Sequence, residues 1–208
     1  MLDTPLRRHI DPPVERLAAR LAAAGIGANA VTWTGFAVGA TAAGAIAMEA
    51  YLAGLALILL SRLCDGLDGA VARATEGAGG GGTDLGGYLD IVLDFAFYGL
   101  VPLGFVLADP ASNGVAGAAL LTAFYVNGAS FLAFALIAEK RGVSAEARGS
   151  KTFLYTVGLA EATETLIAFA LMCLFPASFA AIAFVFAGVT AVTTLARLAL
   201  AAQHFHER

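Results

Sequence analysis

Residues 62–94 read RLCDGLDGAVARATEGAGGGGTDLGGYLDIVLD, and they place four aspartates in a chain that is otherwise strongly apolar. Asp65 and Asp68 are three residues apart, and Asp90 and Asp94 are four residues apart. On helices, the two members of each pair therefore lie on one face. Because a carboxylate inside an apolar membrane helix is costly, such a residue indicates a functional site. Two facing pairs can share divalent cations, so this stretch predicts a site for hard metal ions.

The composition of the whole chain is that of a membrane protein. Of the 208 residues, 59% are hydrophobic and 13% are charged, whereas soluble domains have about 45–50% apolar and about 25% charged residues. We expect an all-α, polytopic membrane protein whose spans each contain about 20 mostly apolar residues. The six predicted transmembrane helices lie at 29–48, 51–73, 84–107, 114–138, 151–174 and 177–202.

The first 28 residues are polar and then amphipathic. They predict an N-terminal amphipathic helix that lies in the membrane interface, and a solvated leader packed on the domain is the alternative. Residues 1–28 would thus form a cytoplasmic or interfacial segment, and residues 29–208 would form a single membrane domain. The charged beginning of the chain, without an apolar core, predicts that there is no cleavable signal peptide.

The basic residues predict the orientation in the membrane. In the six-span arrangement, none of the loops on one side contains a lysine or an arginine, and most of the basic residues lie on the other side or at its border: Arg7, Arg8, Arg16, Arg20, Arg73, Lys140, Arg141, Arg148, Lys151 and Arg208. By the positive-inside rule this second side is cytoplasmic. We therefore expect a multi-pass protein of the plasma (inner) membrane, with both termini and the aspartates on the cytoplasmic side.

The aspartates form part of a longer motif, D-x2-D-G-x2-A-R followed by G-x3-D-x3-D. Its fixed positions are Asp65, Asp68, Gly69, Ala72, Arg73, Gly86, Asp90 and Asp94. In this motif the chain resembles the CDP-alcohol phosphotransferase (CDP-alcohol phosphatidyltransferase) family, integral membrane enzymes of phospholipid synthesis. One departure is the gap of twelve residues between Arg73 and Gly86, which is longer than is usual in the family. The added glycines should enlarge the connecting loop without disturbing the acid pairs.

The residue types suit this chemistry independently of the resemblance. A bound divalent ion neutralises a diphosphate and polarises the phosphorus under attack, and carboxylates supply the oxygen ligands that such an ion requires. Gly66 and Gly69 lack side chains, so a ligand or a neighbouring backbone can approach closely. Arg73 has a charged fork suited to phosphate oxygens. One carboxylate must also accept a proton from the attacking hydroxyl.

The resemblance assigns roles to these residues. It implies that Asp65, Asp68 and Asp90 bind metal and that Asp94 is the catalytic base, also close to a metal, with two ions of Mg²⁺ or Mn²⁺. The nucleotide site would comprise Gly66, Gly69, Ala72, Arg73, Gly86, Asn29 and Thr32. For Asn29 the alternative is simple capping of the first span, by Asn29 or a neighbour. The resemblance further implies a homodimer, and no nucleic-acid partner is expected.

Basic residues near the last three spans bear on the acceptor substrate. Family members that use a phosphorylated polyol hold its phosphate with basic groups from this region, and the corresponding candidates are Lys140, Arg148, Lys151 and Arg197. The alternative is that these side chains reach toward lipid headgroups. Deeper in the fifth span, Glu161 lies at a similar depth to Arg62, which suggests an ion pair between them.

The predicted activity is the metal-dependent transfer of a phosphatidyl group from a CDP-linked lipid, such as CDP-diacylglycerol, to a small hydroxyl acceptor, with release of CMP. A phosphorylated polyol such as glycerol 3-phosphate or inositol phosphate is the favoured acceptor, and the surrounding membrane lipids would hold the acyl chains. Two alternatives remain. A divalent-cation transporter could use the same four acids, and a prenyltransferase-like enzyme could use Asp clusters to bind Mg²⁺ and a diphosphate.

Overall fold

The computed structural model describes residues 3–76, 83–141 and 162–205, and their side chains except those of residues 3–12, 76 and 204. Every regular element within these ranges is helical, which confirms the all-α prediction. The helices are α1 (Asp3–Ala23), α2 (Ala28–Ala47), α3 (Tyr51–Glu76), α4 (Asp84–Ala108), α5 (Pro110–Lys140), α6 (Ala162–Leu174), a 3₁₀ turn (Pro176–Ser178) and α7 (Phe179–Phe205).

Four helical segments of the described chain are long and apolar enough to cross a membrane. They are α2, α4, α5 and the segment Pro176–Gln203 that includes most of α7. The prediction of a polytopic membrane protein agrees with this finding, but the described residues contain four such helices rather than the predicted six. The predicted spans at 51–73 and 151–174 are not among these four segments. Helix α3, which covers the first of them, contains several charged residues, and α6, in the second, has only 13 described residues.

By its internal contacts the chain divides into two units, residues 1–101 and residues 102–208. In the first unit, α2 and α3 form a tightly packed hairpin. Gly35 and Gly39, one helical turn apart on α2, let the two backbones approach closely, and the buried Ser61 hydroxyl of α3 donates to the Gly35 carbonyl oxygen at 2.7 Å. Small residues at such positions are typical of helix pairs in membranes.

Helix α1 packs on this hairpin near the beginning of α2 and the C-terminal end of α3. Ala18 of α1 is buried in a cluster with Val31, Ala70 and Val71, and Val14 and Leu21 pack against the same cluster. The chain then turns into α2 through Gly25, whose φ of 77° is the left-handed conformation that glycine adopts readily. The beginning of α2 is thereby fixed next to the end of α3.

The second unit is built around α5 and α7. The stacked rings of Phe105 and Phe179 lie 4.7 Å apart, and Phe124 contacts two further phenylalanines edge to face. Helix α5 begins at Pro110 because Asp109 caps it, accepting a hydrogen bond from the Ser112 amide at 3.0 Å. This bond lowers the pKa of Asp109 below its ordinary value.

We expect Gly39→Ala to destabilise the first unit. A Cβ at this position would lie 2.6 Å from Cδ2 of Phe97 and 2.9 Å from Oγ of Ser61, and overpacking of this kind typically costs about 1–3 kcal/mol. Gly44→Ala on the same helix is the matched control, because nothing lies within 4 Å of its Cβ position. Thermal unfolding in detergent should show a lower midpoint for the first variant only. Equal midpoints for both variants would contradict the close packing of α2 on α3.

Candidate active site

Three of the four motif aspartates converge at one point of the first unit. Asp65 and Asp68 project from α3 and Asp90 from α4, and one carboxylate oxygen from each lies within 4.8 Å of the other two. The spacing of three residues on α3 explains why its two acids share a face. Carboxylates this close repel one another unless a cation lies between them. Their oxygens are the ligands that Mg²⁺ and Mn²⁺ prefer, so the three residues fit a divalent ion.

Helix α2 contributes a residue that orients one of these acids. The hydroxyl of Thr32 donates to Oδ2 of Asp68 at 2.7 Å, and Asp68 is a largely buried carboxylate. A hydrogen bond to one oxygen fixes the direction of the other. Thr32 was predicted for the nucleotide site. In the structure its hydroxyl contacts Asp68, a candidate metal ligand, and the residue also lines the adjoining cavity.

The fourth aspartate has a different partner. Oδ1 of Asp94 accepts a hydrogen bond from Nη1 of Arg62 at 2.7 Å, and the same nitrogen lies 3.5 Å from Oδ2 of Asp65. Asp94 still lines a small cleft together with Arg62, Asp65 and Asp90. The structure thus places the proposed base beside the three-carboxylate group, with an arginine between the two.

The partner suggested for Arg62 from the sequence was Glu161. That residue lies outside the described part of the chain, and the carboxylates that Arg62 contacts among the described residues are those of Asp94 and Asp65. Arg62 was therefore missed as a site residue. Its sequence signal was its position three residues before Asp65, which places both side chains on one face of α3.

A cavity of about 610 Å³ adjoins the three-carboxylate group. It lies between the first turn of α2, the C-terminal half of α3 and the first turns of α4. Its lining residues are Gly27, Ala28, Asn29, Thr32, Asp65, Asp68, Gly69, Ala72, Thr75, Thr83, Gly86, Gly87 and Asp90. The space is large enough for part of a nucleotide-linked ligand.

Most of the residues predicted for the nucleotide site line this cavity. They are Asn29, Thr32, Gly69, Ala72 and Gly86. The remaining two, Arg73 and Gly66, are not among the lining residues, although Nη1 of Arg73 lies 3.5 Å from the Cβ position of the lining residue Gly69. The sequence analysis did not predict the lining residues Gly27 and Ala28 at the beginning of α2, or Thr75, Thr83 and Gly87, which lie between the fixed positions of the motif.

Two helix N-termini open onto the cavity. Gly27 is the N-cap of α2 and has no side chain to occupy the first amides, while the Thr83 hydroxyl caps α4 by accepting from the Gly86 amide at 3.0 Å. The exposed amides and the positive end of each helix favour anions such as phosphate. The N-cap of α2 is Gly27, a near neighbour of Asn29, and Asn29 itself lies in the first turn of the helix.

The predicted acceptor residues fall in the second unit or outside the described ranges. Arg148 and Lys151 are not described, and Lys140 is the exposed last residue of α5. Arg197 on α7 donates through Nη1 to the carbonyl oxygen of Asn127 at 3.0 Å, to Oδ1 of the same residue at 3.1 Å and to Oγ of Ser130 at 3.0 Å. These hydrogen bonds from Arg197 connect α7 to α5 within the second unit.

Comparison with known proteins agrees with the motif and the fold. The family model for CDP-alcohol phosphatidyltransferase matches residues 26–200. The chain is 47% identical to the inner membrane protein YnjF of Escherichia coli (strain K12) over 198 residues, which cover 95% of this chain and 94% of that protein. It is 36% identical over 99 residues to the archaetidylinositol phosphate synthase of Methanothermobacter thermautotrophicus, which covers 48% of this chain and 45% of that protein.

Solved structures share the fold. The phosphatidylinositol phosphate synthase of Mycobacterium tuberculosis with CDP-DAG bound has a TM-score of 0.69 at 22% identity, over 91% of this chain and 93% of that one. The same enzyme in complex with manganese and citrate has a TM-score of 0.65 at 23% identity, over 90% and 88%. The family model spans most of this sequence. The chain therefore belongs to the CDP-alcohol phosphatidyltransferase family and is a transferase of substituted phosphate groups.

Proposed function

We propose that the protein transfers the phosphatidyl group of a CDP-activated lipid, such as CDP-diacylglycerol, to the hydroxyl group of a small acceptor and releases CMP. The observation that carries this proposal is the convergence of Asp65, Asp68 and Asp90 beside a cavity onto which two helix N-termini open. A cation site next to an anion-binding cavity is what a diphosphate substrate requires.

Each part of the site has a chemical task. Asp65, Asp68 and Asp90 would hold Mg²⁺ or Mn²⁺, with Asp94 beside a second ion, and bound metal would supply charge neutralisation and polarisation of the reacting phosphorus. The amides at the beginnings of α2 and α4 and the guanidinium of Arg73 bind phosphate oxygens. Gly69 and Gly86, which line the cavity, let the nucleotide approach the backbone.

Asp94 is the proposed base. Its carboxylate takes the proton of the acceptor hydroxyl as the hydroxyl oxygen forms a bond to the β-phosphorus of the CDP-lipid. The bond between that phosphorus and the bridging oxygen breaks, and the electron pair leaves with CMP. The position of Asp94 in one cleft with Asp65 and Asp90 supports this assignment.

For the acceptor we propose a phosphorylated polyol, such as glycerol 3-phosphate or inositol phosphate. Two relatives are named as synthases of inositol phosphate lipids, and the chain has basic candidates for a phosphate in Lys140, Arg148, Lys151 and Arg197. A phosphate dianion is best held by such cationic side chains.

We expect Arg197→Ala to raise the acceptor KM by about 10–100-fold, the loss corresponding to a charge-assisted hydrogen bond. The KM for the CDP-lipid should stay unchanged. Steady-state CMP release at varied acceptor concentration measures both constants. Because Arg197 also bonds to Ser130, Ser130→Ala is the matched control for the structural contact alone, and it should leave the acceptor KM near the wild-type value. Unchanged acceptor kinetics in Arg197→Ala would remove this residue from the acceptor site.

The membrane arrangement that we propose has six spans, with both termini and the active site on the cytoplasmic side of the inner membrane. Helix α3 has 26 residues, about 39 Å of helix, which exceeds the ~30 Å hydrocarbon core. Residues 1–28 would form the cytoplasmic or interfacial segment and 29–208 the membrane domain, and one relative is named an inner membrane protein. Single cysteines introduced at either terminus should react only from the cytoplasmic side; reaction from the opposite side would refute the arrangement.

We also propose a homodimer. The exposed apolar side chains of the described helices and the many small residues permit close helix contacts between copies. The mass of the protein in lipid nanodiscs measures this directly, and a monomeric mass in fully active preparations would refute it.

The function is tested by incubating the purified protein with CDP-diacylglycerol, Mg²⁺ or Mn²⁺ and a panel of acceptors that includes glycerol 3-phosphate, inositol phosphate and serine. Release of CMP that depends on both metal and acceptor supports the proposal, and the acceptor with the highest kcat/KM identifies the substrate. Release of pyrophosphate from a prenyl diphosphate would favour the prenyltransferase alternative. Metal flux into liposomes without any nucleotide would favour the transporter.

A further inference from the structure

The side chain of Arg62 forms a bridge that the family motif does not contain. We propose that Arg62 is a positioning residue: it holds Asp94 in one orientation and limits how far that carboxylate can join the three-carboxylate group. This inference rests on the proposed function, because it takes Asp94 as the base.

The bridge is asymmetric. Nη1 of Arg62 lies 2.7 Å from Oδ1 of Asp94 and 3.5 Å from Oδ2 of Asp65, and the side chains of Arg62 and Asp94 are only 18% and 30% exposed. A bond this short between partly buried charges fixes one oxygen of Asp94. The other oxygen, Oδ2, is then the one that can take the proton of the acceptor.

The position of Arg62 is itself fixed by packing. Its guanidinium carbon lies 4.1 Å from the centroid of the Phe97 ring, and Phe97 is 1% exposed. The ring can lie there because Gly39 of α2 has no Cβ, which would approach Cδ2 of Phe97 to 2.6 Å. The guanidinium carbon also lies 5.9 Å from the centroid of the Tyr98 ring. Nε of Arg62 is buried without an acceptor among the described residues, so the two rings and the two carboxylates, rather than a complete set of hydrogen bonds, hold the guanidinium.

The consequence concerns both charge and geometry. Asp65 belongs to the three-carboxylate group and also faces the Arg62 cation. The positive charge therefore weakens the attraction of this group for a divalent ion, while the bond to Asp94 keeps one of its oxygens occupied. Without Arg62, the group should bind a divalent ion more tightly, and Asp94 should be displaced from its position as base.

The test compares Arg62→Met with the wild-type protein in two separate measurements. Electron paramagnetic resonance with Mn²⁺ alone should show a Kd lower by about tenfold, as expected for loss of a unit charge a few ångströms away. Turnover of CDP-diacylglycerol should show a kcat lower by about 100-fold, the size expected for a misplaced reacting group. The KM for the CDP-lipid should change by less than about twofold, since the cavity contacts remain.

Three further variants complete the test. Arg62→Lys, which keeps the charge, should restore both quantities part of the way. Arg141→Met is the matched control, because Arg141 also stacks on a phenylalanine, 4.9 Å from the centroid of Phe205, and it should change neither quantity. In an Asp94→Asn background, Arg62→Met should cause no further loss of kcat, and its gain of Mn²⁺ affinity should be smaller than in the wild-type background, because the charge facing Asp65 is still removed but residue 94 no longer offers a carboxylate that could join the group.

Unchanged kcat in Arg62→Met, unchanged or weakened Mn²⁺ binding, or additive losses in the double variant would each overturn the inference. A protein that merely loses packing would bind Mn²⁺ less well, which is the opposite of the expected change. If the wild-type protein released no CMP from any CDP-lipid, the proposed function would fail. A gain of Mn²⁺ affinity in Arg62→Met that becomes smaller in the Asp94→Asn background would in that case still support the positioning of Asp94 by Arg62.

Discussion

Asp90→Asn is expected to reduce metal-dependent CMP release by about 10³-fold or more, since a metal ion contributes several kcal/mol of transition-state stabilisation and each 1.36 kcal/mol is a factor of ten in rate. Asp90 is the contribution of α4 to a group whose other two members lie on α3. Asparagine keeps the shape of the side chain but lacks the charge, so two carboxylates on a single helix would remain. Activity assays with Mg²⁺ and Mn²⁺ measure the loss, and Mn²⁺ binding should weaken in parallel.

Asp109→Asn provides the control for a general effect of losing an aspartate. Asp109 caps α5 and is exposed, and asparagine caps helices about as well as aspartate does. This variant should therefore retain wild-type activity and Mn²⁺ affinity. Near-normal turnover in Asp90→Asn would show that α4 does not contribute a metal ligand, and the assignment of the three-carboxylate group would have to be abandoned.

The acids themselves could be predicted from the sequence, because a helical period of about 3.6 residues converts a spacing of three or four into a shared face. The sequence could not predict which acids of different helices lie close together. Asp90 reaches the α3 pair only because α3 and α4 are brought to the right rotation, and close packing through Gly35 and Gly39 sets part of that arrangement. Spacing along one helix contains no information on its rotation against another.

The pairing of Arg62 shows the same limit. Counting residues along two predicted spans estimated a similar depth for Arg62 and Glu161, yet depth alone leaves the direction of each side chain open. In the structure Arg62 faces Asp94 because Phe97, one turn further along α4 from Asp94, supplies the surface on which the guanidinium lies. Such a contact depends on tertiary packing, which takes precedence over any pattern within one segment.

The observed beginning of α5 differs from the prediction because the residues before it are favoured both in turns and at the beginnings of helices. The predicted span at 114–138 began after a run of turn residues, whereas α5 begins at Pro110. Asp109 and Pro110 are favoured in turns, but they are equally favoured at an N-cap and at the first helical position. The hydrogen bond from the Ser112 amide to Asp109 resolves the ambiguity, and the side chain of Asn113 then closes the turn by donating to the Phe105 carbonyl oxygen at 2.8 Å.

Asp94→Asn is expected to lower kcat by about 10²–10⁴-fold, the usual contribution of a general base, while leaving the binding of Mn²⁺ and of the CDP-lipid nearly unchanged. The physical reason is that the four acids have different surroundings. Asp65, Asp68 and Asp90 form the candidate metal-ligand group, whereas Oδ1 of Asp94 accepts a hydrogen bond from Arg62. Steady-state CMP release gives kcat and KM, and electron paramagnetic resonance of Mn²⁺ gives the affinity. Asp84→Asn, an exposed acid in the first turn of the same helix, is the matched control and should behave as the wild-type protein does.

The comparison of Asp94→Asn with Asp90→Asn separates a base from a ligand. If both variants lost Mn²⁺ binding to the same extent, Asp94 would act mainly as a metal ligand, and another group would have to take the proton of the acceptor. If Asp94→Asn retained both metal binding and turnover, neither role would hold. The same pair distinguishes an enzyme from a transporter, because a transporter that uses four equivalent acids would lose ion flux in both variants. If Asp94→Asn retained Mn²⁺ and nucleotide binding but lost turnover, a catalytic role for Asp94 would explain the result. A carboxylate that neither binds the ion nor takes a proton would leave the rate unchanged when it is replaced.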